Sequence, residues 1–265
     1  MQNFYIFRLK LTDYNLIMKK IILCLGLAAL SLTSCSSSDS SNDGPNDALV
    51  KKIVYTSITD DYTETVQYTY NGNKILRGTY NDGSVDIFTY QGDLITKIET
   101  VEDGDVTYTE TFTYDSNGRL TRYISAETGY SEQEAFVYNT DGTVTSTLGN
   151  GSFTSVRTFH FQNEELIKIV ESGAGGRVYD YTYDSKNSPF RNVTGYSKIA
   201  HVSHGDHEFF GAKQNISAIH EVTTDVDYTT NTMTYNSNNY PTAVNSVAIF
   251  EASGTYNATM RYTYY

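Results

Sequence analysis

The sequence predicts an all-β fold, an antiparallel up-and-down meander of about 14–16 strands forming a strongly curved sheet or partly closed soluble barrel. Three observations predict it. The first is a repeat in which an aromatic, a Thr and a Tyr run into a turn: Tyr68-Thr69-Tyr70-Asn71-Gly72, Phe88-Thr89-Tyr90-Gln91-Gly92, and Phe112-Thr113-Tyr114 before Ser116-Asn117-Gly118. The closing aromatics at 70, 90, 114, 138, 161 and 183 recur every 20 to 24 residues, which marks an array of similar small units. The second is the spacing of turn signals such as Asn81-Asp82-Gly83, Asp103-Gly104, Thr128-Gly129 and Asp141-Gly142, one per about ten to thirteen residues. The third is strict alternation between them. Tyr108, Glu110, Phe112 and Tyr114 share one strand face with Val106, and Thr107, Thr109, Thr111 and Thr113 share the other.

The elements follow in chain order. Residues Met1–Ile17 read as a start-site extension. From Met18 come Lys19-Lys20, an apolar run from Ile21 to Leu30, and Ser31-Leu32-Thr33-Ser34-Cys35. A short basic region, a short apolar core and a small-residue cleavage site predict a signal peptide over 18–34, and the apolar run is too short to span a bilayer. Leu32-Thr33-Ser34-Cys35 resembles a bacterial lipobox. That resemblance implies a lipid on Cys35, and with Ser36 rather than Asp next in line it implies an outer-membrane address. Residues 35–48 form an acidic, Ser-rich tether without core-forming side chains, and 49–265 are one β-meander domain. With Cys24 in the leader and Cys35 lipidated, no thiol is left for catalysis, zinc or disulfides.

Charge narrows the partners. Removing Arg8, Lys10, Lys19, Lys20 and Asp13 with the leader lowers 19 basic and 31 acidic residues to 15 and 30. A field of that sign disfavours nucleic acid, which needs a basic footprint.

Within the domain, the aromatic face is expected to be the core and the Thr face to meet water. Tyr62, Val66, Tyr68 and Tyr70 oppose Thr63, Thr65, Gln67 and Thr69 in the same way. A three-residue loop with Gly118 in the left-handed region pairs Tyr114 with Leu120, then Phe112 with Arg122 and Glu110 with Ile124. The corresponding loop pairs Tyr138 with Val144 and Phe136 with Ser146. This register places charges on the aromatic face: Glu110, Glu134 and Arg157 beside the repeats, Arg122 and Lys168 facing them. Unpaired charge in a dry core is prohibitively costly. The face is therefore either wet at one end, as a Tyr-rich mouth with Tyr108, Glu110, Arg122, Glu134, Arg157 and Lys168 as candidate binding residues, or its charges reach solvent at strand ends. A membrane-spanning barrel is disfavoured, because the face opposite the aromatics is Thr, Gln and Asp where lipid requires an apolar band.

The repeat breaks between Tyr183 and Tyr235, and an irregular insert occupies about 184–214. Inserts on regular scaffolds commonly carry function. This one holds His201, His204 and His207 followed by Glu208, donors suited to zinc. Spacing of three and three aligns the imidazoles only in a tight 3₁₀-like turn, while Gly205-Asp206 favours a loop. No catalytic triad order, phosphate loop or HExxH motif is present, so neither an enzyme nor a cofactor is expected.

Tyr114-Asp115-Ser116-Asn117-Gly118-Arg119-Leu120-Thr121 resembles a YD-type repeat of Rhs-like proteins, whose shells need far longer chains. Over nearly the whole mature chain the signal, tether, Tyr-x-Tyr hairpins and Tyr183–Phe190 segment are similar to Gram-negative lipoproteins with a domain of unknown function of porin-like fold. Ser188-Pro189-Phe190 stands where that family often has Asn-Pro-Phe. The resemblance implies a membrane-anchored envelope protein and transfers no catalytic residue. The expected role is non-enzymatic binding or scaffolding, with a glycan, peptide or envelope protein as partner. The absence of Trp weakens the glycan version. The alternatives are a structural partner of an outer-membrane complex and a metal-dependent hydrolase using the His-rich insert.

Overall fold

The computed structural model describes residues 48–202, 210–250 and 254–265. The leader, Cys35, nearly all of the tether, His204 and His207 lie outside the described residues. The chain forms β1 Val50–Ser57, β2 Tyr62–Asn71, β3 Lys74–Tyr80, β4 Val85–Gln91, β5 Leu94–Glu102, β6 Asp105–Tyr114, β7 Leu120–Glu127 and β8 Tyr130–Tyr138. It continues through β9 Val144–Gly149, β10 Thr154–Gln162, β11 Glu165–Glu171, β12 Val178–Tyr183, β13 Ile216–Glu221, β14 Val226–Tyr235, β15 Pro241–Phe250 and β16 Gly254–Tyr264. Each strand pairs antiparallel with its sequence neighbours, and β1 also pairs with β16, so the meander closes into a 16-strand barrel. Closure removes both sheet edges.

The two ends of the ring differ. One end carries the turns that follow the repeat aromatics, the chain's entry at Leu49 and the insert between β12 and β13; we call it the plug end. The far end carries the β1–β2, β3–β4, β5–β6, β7–β8, β9–β10, β11–β12 and β13–β14 turns.

Register at the plug end follows the turn chemistry for one residue pair and then slips. Tyr114 pairs with Leu120 as the loop predicts, with Gly118 at φ 70°. The next pair is Thr113 with Arg122, so Thr121 is left over and Phe112 meets Tyr123 instead of Arg122. The same one-residue bulge falls at Leu76, Thr96, Ile167, Ser217 and Thr242, and at Lys51 where β1 meets β16. Among the plug-end pairings β8–β9 alone has none: Tyr138 pairs with Val144 and Phe136 with Ser146, as the loop predicts. A bulge bends its strand and raises local twist. Repeated around the ring, it coils the sheet enough to close it.

The aromatic face points inward. Phe112, Leu120, Phe136, Phe159, Ile98, Val244 and Met260 are buried and form one cluster with residues of the insert. Each such side chain contributes on the order of 1.5–3 kcal/mol by leaving water. Val106, expected inward, is exposed because it lies at the end of β6, beside the irregular pairing of Val101. A 16-strand ring of circular section would enclose an aqueous channel. Here the described residues of the insert enter the ring and pack against its inner wall.

Phe190 stacks on Tyr196 and meets Tyr68 of β2 edge-on, and Phe210 meets Tyr262 of β16. His201 lies edge-on to Phe136, Phe159 and Phe161 of β8 and β10. Thr194 N–H donates to the Asn73 carbonyl at 2.9 Å, and the Asn192 amide reaches the Ala48 carbonyl and the Tyr240 hydroxyl at 3.1 and 2.8 Å. The segment thus reaches from β2 and β16, on either side of β1, across to β8 and β10 as a plug.

Candidate functional site

The repeat's closing tyrosines form a clamp around the plug end. Tyr114 donates its hydroxyl to the Ile95 carbonyl at 2.6 Å, Tyr138 to Leu120 at 3.0 Å, Tyr183 to Leu166 at 2.8 Å, Tyr264 to Pro241 at 2.8 Å and Tyr70 to Val50 at 2.7 Å. Every acceptor is the residue beside a bulge in the neighbouring hairpin, where the ladder is interrupted and a carbonyl needs another donor. The exceptions obey the same logic. β8–β9 has no bulge, and the aromatic that closes the next hairpin is Phe161, which has no hydroxyl. Beside the β12–β13 bulge the Ile216 carbonyl takes the Asn231 amide at 3.0 Å, and Tyr235 turns its hydroxyl to Asp184. Tyr90 accepts from the Ile75 N–H at 3.1 Å. Burial pushes the Tyr114 and Tyr70 hydroxyls well above the usual phenol range, so they remain donors at any physiological pH.

The far half of the lumen is polar. Tyr123 donates to Glu110 at 2.6 Å, and Glu110 is fully buried. Arg157 donates to Glu134 at 2.6 Å, and Ser146 donates to the same carboxylate. Tyr80 and Thr100 each hold one oxygen of Asp86 at 2.7 Å. Burial first, and then the neighbouring carboxylate, raises the Tyr123 and Tyr80 hydroxyls. Tyr108 is raised by burial and then by Glu110. Burial likewise holds the Glu132 carboxyl above its ordinary value.

Of the six candidate binding residues, the structure brings Tyr108, Glu110, Glu134 and Arg157 to the inner face. Glu110 and Glu134 are sealed against their partners there and do not line a wet mouth. Arg122 and Lys168 are corrections. The bulges at Thr121 and Ile167 turn both to the outer wall, where Arg122 bonds Gln133 and Lys168 pairs with Asp180 at 3.0 Å. Of the histidine trio only His201 is described, and its ring is enclosed by three Phe rings. No group of three His, Cys, Asp or Glu among the described residues is spaced to hold a metal.

Glu165 was missed from sequence, yet it is the plug's anchor. Its buried carboxylate accepts the N–H groups of Ala212, Lys213 and Gln214 at 2.7, 2.7 and 2.8 Å. Burial raises its pKa against the pull of these three donors. Gly211 permits the approach, since a Cβ there would overlap the Glu165 carboxylate and lie 2.5 Å from the Tyr183 ring. Beside it a cavity of about 20 Å³, lined by His201, Glu165 and Tyr183, has room for about one water.

The outer wall is largely polar, with single aliphatics such as Leu76 and Val137 among its exposed residues. Thr63, Gln67 and Thr69 on β2, Thr230, Thr232 and Thr234 on β14, and Thr242 and Asn245 on β15 are exposed. No helix among the described residues is long and apolar enough to cross a membrane. A barrel crosses with strands, so the wall bears on the question, and these described residues of β2, β14 and β15 are polar where lipid demands an apolar band. Charge is polarised along the axis. The described far-end turns carry Asp60, Asp61, Asp82, Asp103 and Asp225 against Arg177, whereas the plug end holds Lys51, Lys74, Arg119, Lys186, Arg191 and Lys213 among its acids.

No family model matches the chain and no curated protein matches it. Among solved structures, it is similar to a porin-like protein from Bacteroides uniformis at 17% identity and a TM-score of 0.49, covering 82% of this chain and 98% of that one.

Proposed function

We propose that the chain is a membrane-anchored, non-enzymatic binding or scaffold lipoprotein of the cell envelope, held by lipid on Cys35 at the outer membrane. One observation supports the reading: among the described residues the insert packs inside the closed barrel and much of the outer wall is polar, an arrangement that suits a binding surface better than a conduit. What it presents is a rigid outer surface on a tether. The chain enters at the plug end, where Ala48 and Leu49 bond to Asn192 and Tyr265, so the acidic far end is the part free to meet a glycan, a peptide or an envelope protein. One lipid chain alone binds a bilayer marginally, and the several chains of a lipoprotein hold durably.

Fractionation of cells producing the full chain tests this. The chain should sediment with membranes, leave them in Cys35→Ala, and give no conductance when added to planar bilayers. Stable channels, or membrane attachment unchanged in Cys35→Ala, would overturn the reading.

A further inference from the structure

The closed ring leaves no strand edge for a partner to extend, so docking must use side chains of the wall. Most of that wall is Thr and charge, and single exposed apolar residues such as Leu76 and Val137 need no explanation. One place is different. Ile58 is 60% exposed, and its N–H donates to the Asn257 carbonyl at 2.8 Å. Asn257 in turn pairs with Val247, and Ile249 lies two residues further along the same strand face. Val222 follows β13, two strands away, and is 45% exposed. Ile58, Val247 and Ile249 therefore share one sector of the far end, across β1, β16 and β15, and Val222 lies further round the same end beyond β14.

Acids frame the same sector. Asp60 and Asp61 follow Ile58 in the β1–β2 turn, and Asp225 and Asp227 lie beside Val222 with His220 between them. Arg177, beside the Val178 carbonyl that takes the Val222 N–H, is the basic residue of the described far-end turns, and acids outnumber it. Exposed apolar residues with a predominantly acidic rim mark an interaction surface. The sign selects the occupant. A second copy would set these acids against its own, and an anionic lipid surface or nucleic acid would be repelled in the same way.

We infer that this sector of the far-end wall docks a basic, amphipathic segment of a partner protein, its aliphatic face on Ile58, Val222, Val247 and Ile249 and its Lys or Arg side chains on the flanking aspartates. The inference rests on the proposed binding role and names the surface that performs it.

The test uses the full chain in detergent, so that binding is read independently of anchorage. The probes are a synthetic Lys/Leu amphipathic peptide, its Glu/Leu counterpart and a Lys/Ser peptide of equal charge, followed by fluorescence anisotropy. The Lys/Leu peptide should bind and the Glu/Leu peptide should not. The Lys/Ser peptide should bind about tenfold or more weakly, the effect of losing about 1.4 kcal/mol of apolar contact. Ile58→Ser with Ile249→Thr, and separately Asp60→Asn with Asp61→Asn and Asp225→Asn, should each weaken the Lys/Leu peptide about tenfold. Asn suits Asp61 and Asp225, which sit at φ 51° and 58°. A plug-end control, Leu76→Ser with Asp93→Asn, should leave affinity within about twofold. Equal binding of the Lys/Ser peptide, or equal losses in the control, would reduce the effect to net charge and overturn the inference. So would self-association of the wild type that the Ile58→Ser variant abolishes. None of these outcomes bears on whether Cys35 anchors the chain.

Discussion

Tyr114, Tyr138, Tyr183 and Tyr264 make the same hydrogen bond to a carbonyl beside a bulge, and removing one hydroxyl at a time isolates its worth. Tyr114→Phe keeps the ring and strands the Ile95 carbonyl, which should cost about 1 kcal/mol in urea unfolding. Phe161→Tyr, placed where no bulge waits, should gain nothing. Arg157→Met should cost about 3 kcal/mol or more, because Glu134 would be left buried without its guanidinium. Arg122→Ala, on the outer wall, should fall within about 0.5 kcal/mol of the wild type. The Glu132 carboxyl is raised by burial, so folding favours its protonated form. Its contribution is complete below the unfolded glutamate pKa and is lost as pH rises through the folded value. Glu132→Gln should therefore be more stable than the wild type at neutral pH, and its urea midpoint should fall less between mildly acidic and neutral buffer. Asp115 and Asp141 act oppositely, since hydrogen bonds from their own turns lower both, and their support fades as pH drops through the acid range.

At the scale of elements, the hairpin is a coupled unit of turn, bulge and clamp. Gly118→Ala should cost about 1 kcal/mol through its left-handed backbone alone. Gly211→Ala should cost more, about 2 kcal/mol, and hydrogen exchange should show the loss confined to the plug, because the new Cβ meets Glu165 and Tyr183. Much of the hairpin was legible in the sequence. The turn residues fixed the Tyr114–Leu120 and Tyr138–Val144 pairs, and alternation identified the buried face. The bulge was not legible, because nothing in Leu120-Thr121-Arg122 distinguishes an extra outward residue from an ordinary strand step. That single step moved Arg122 and Lys168 off the inner face. The insert was legible as an interruption of the repeat, but its role as a plug was not. Glu165 sits in a strand, where only the distant backbone of Ala212–Gln214 gives it meaning.

The whole molecule turns its polar face outward and its aromatic face inward, with an anchored plug at the end where the chain enters. Polar threonine on the outer wall and an apolar, aromatic cluster inside are each the inverse of what a membrane pore needs. The most direct measurement of that arrangement places one reporter at mid-wall. No cysteine follows Cys35, so Gln67→Cys on β2 and Asn245→Cys on β15 each supply a single exposed thiol on a chain anchored through Cys35 as proposed. Labelled with an environment-sensitive dye and reconstituted in vesicles, both should emit as in water and be quenched by iodide but not by a quencher placed on the acyl chains. Blue-shifted emission with acyl-chain quenching at both sites would mean that the wall is buried in lipid, and the barrel described here would have to be a membrane-spanning one.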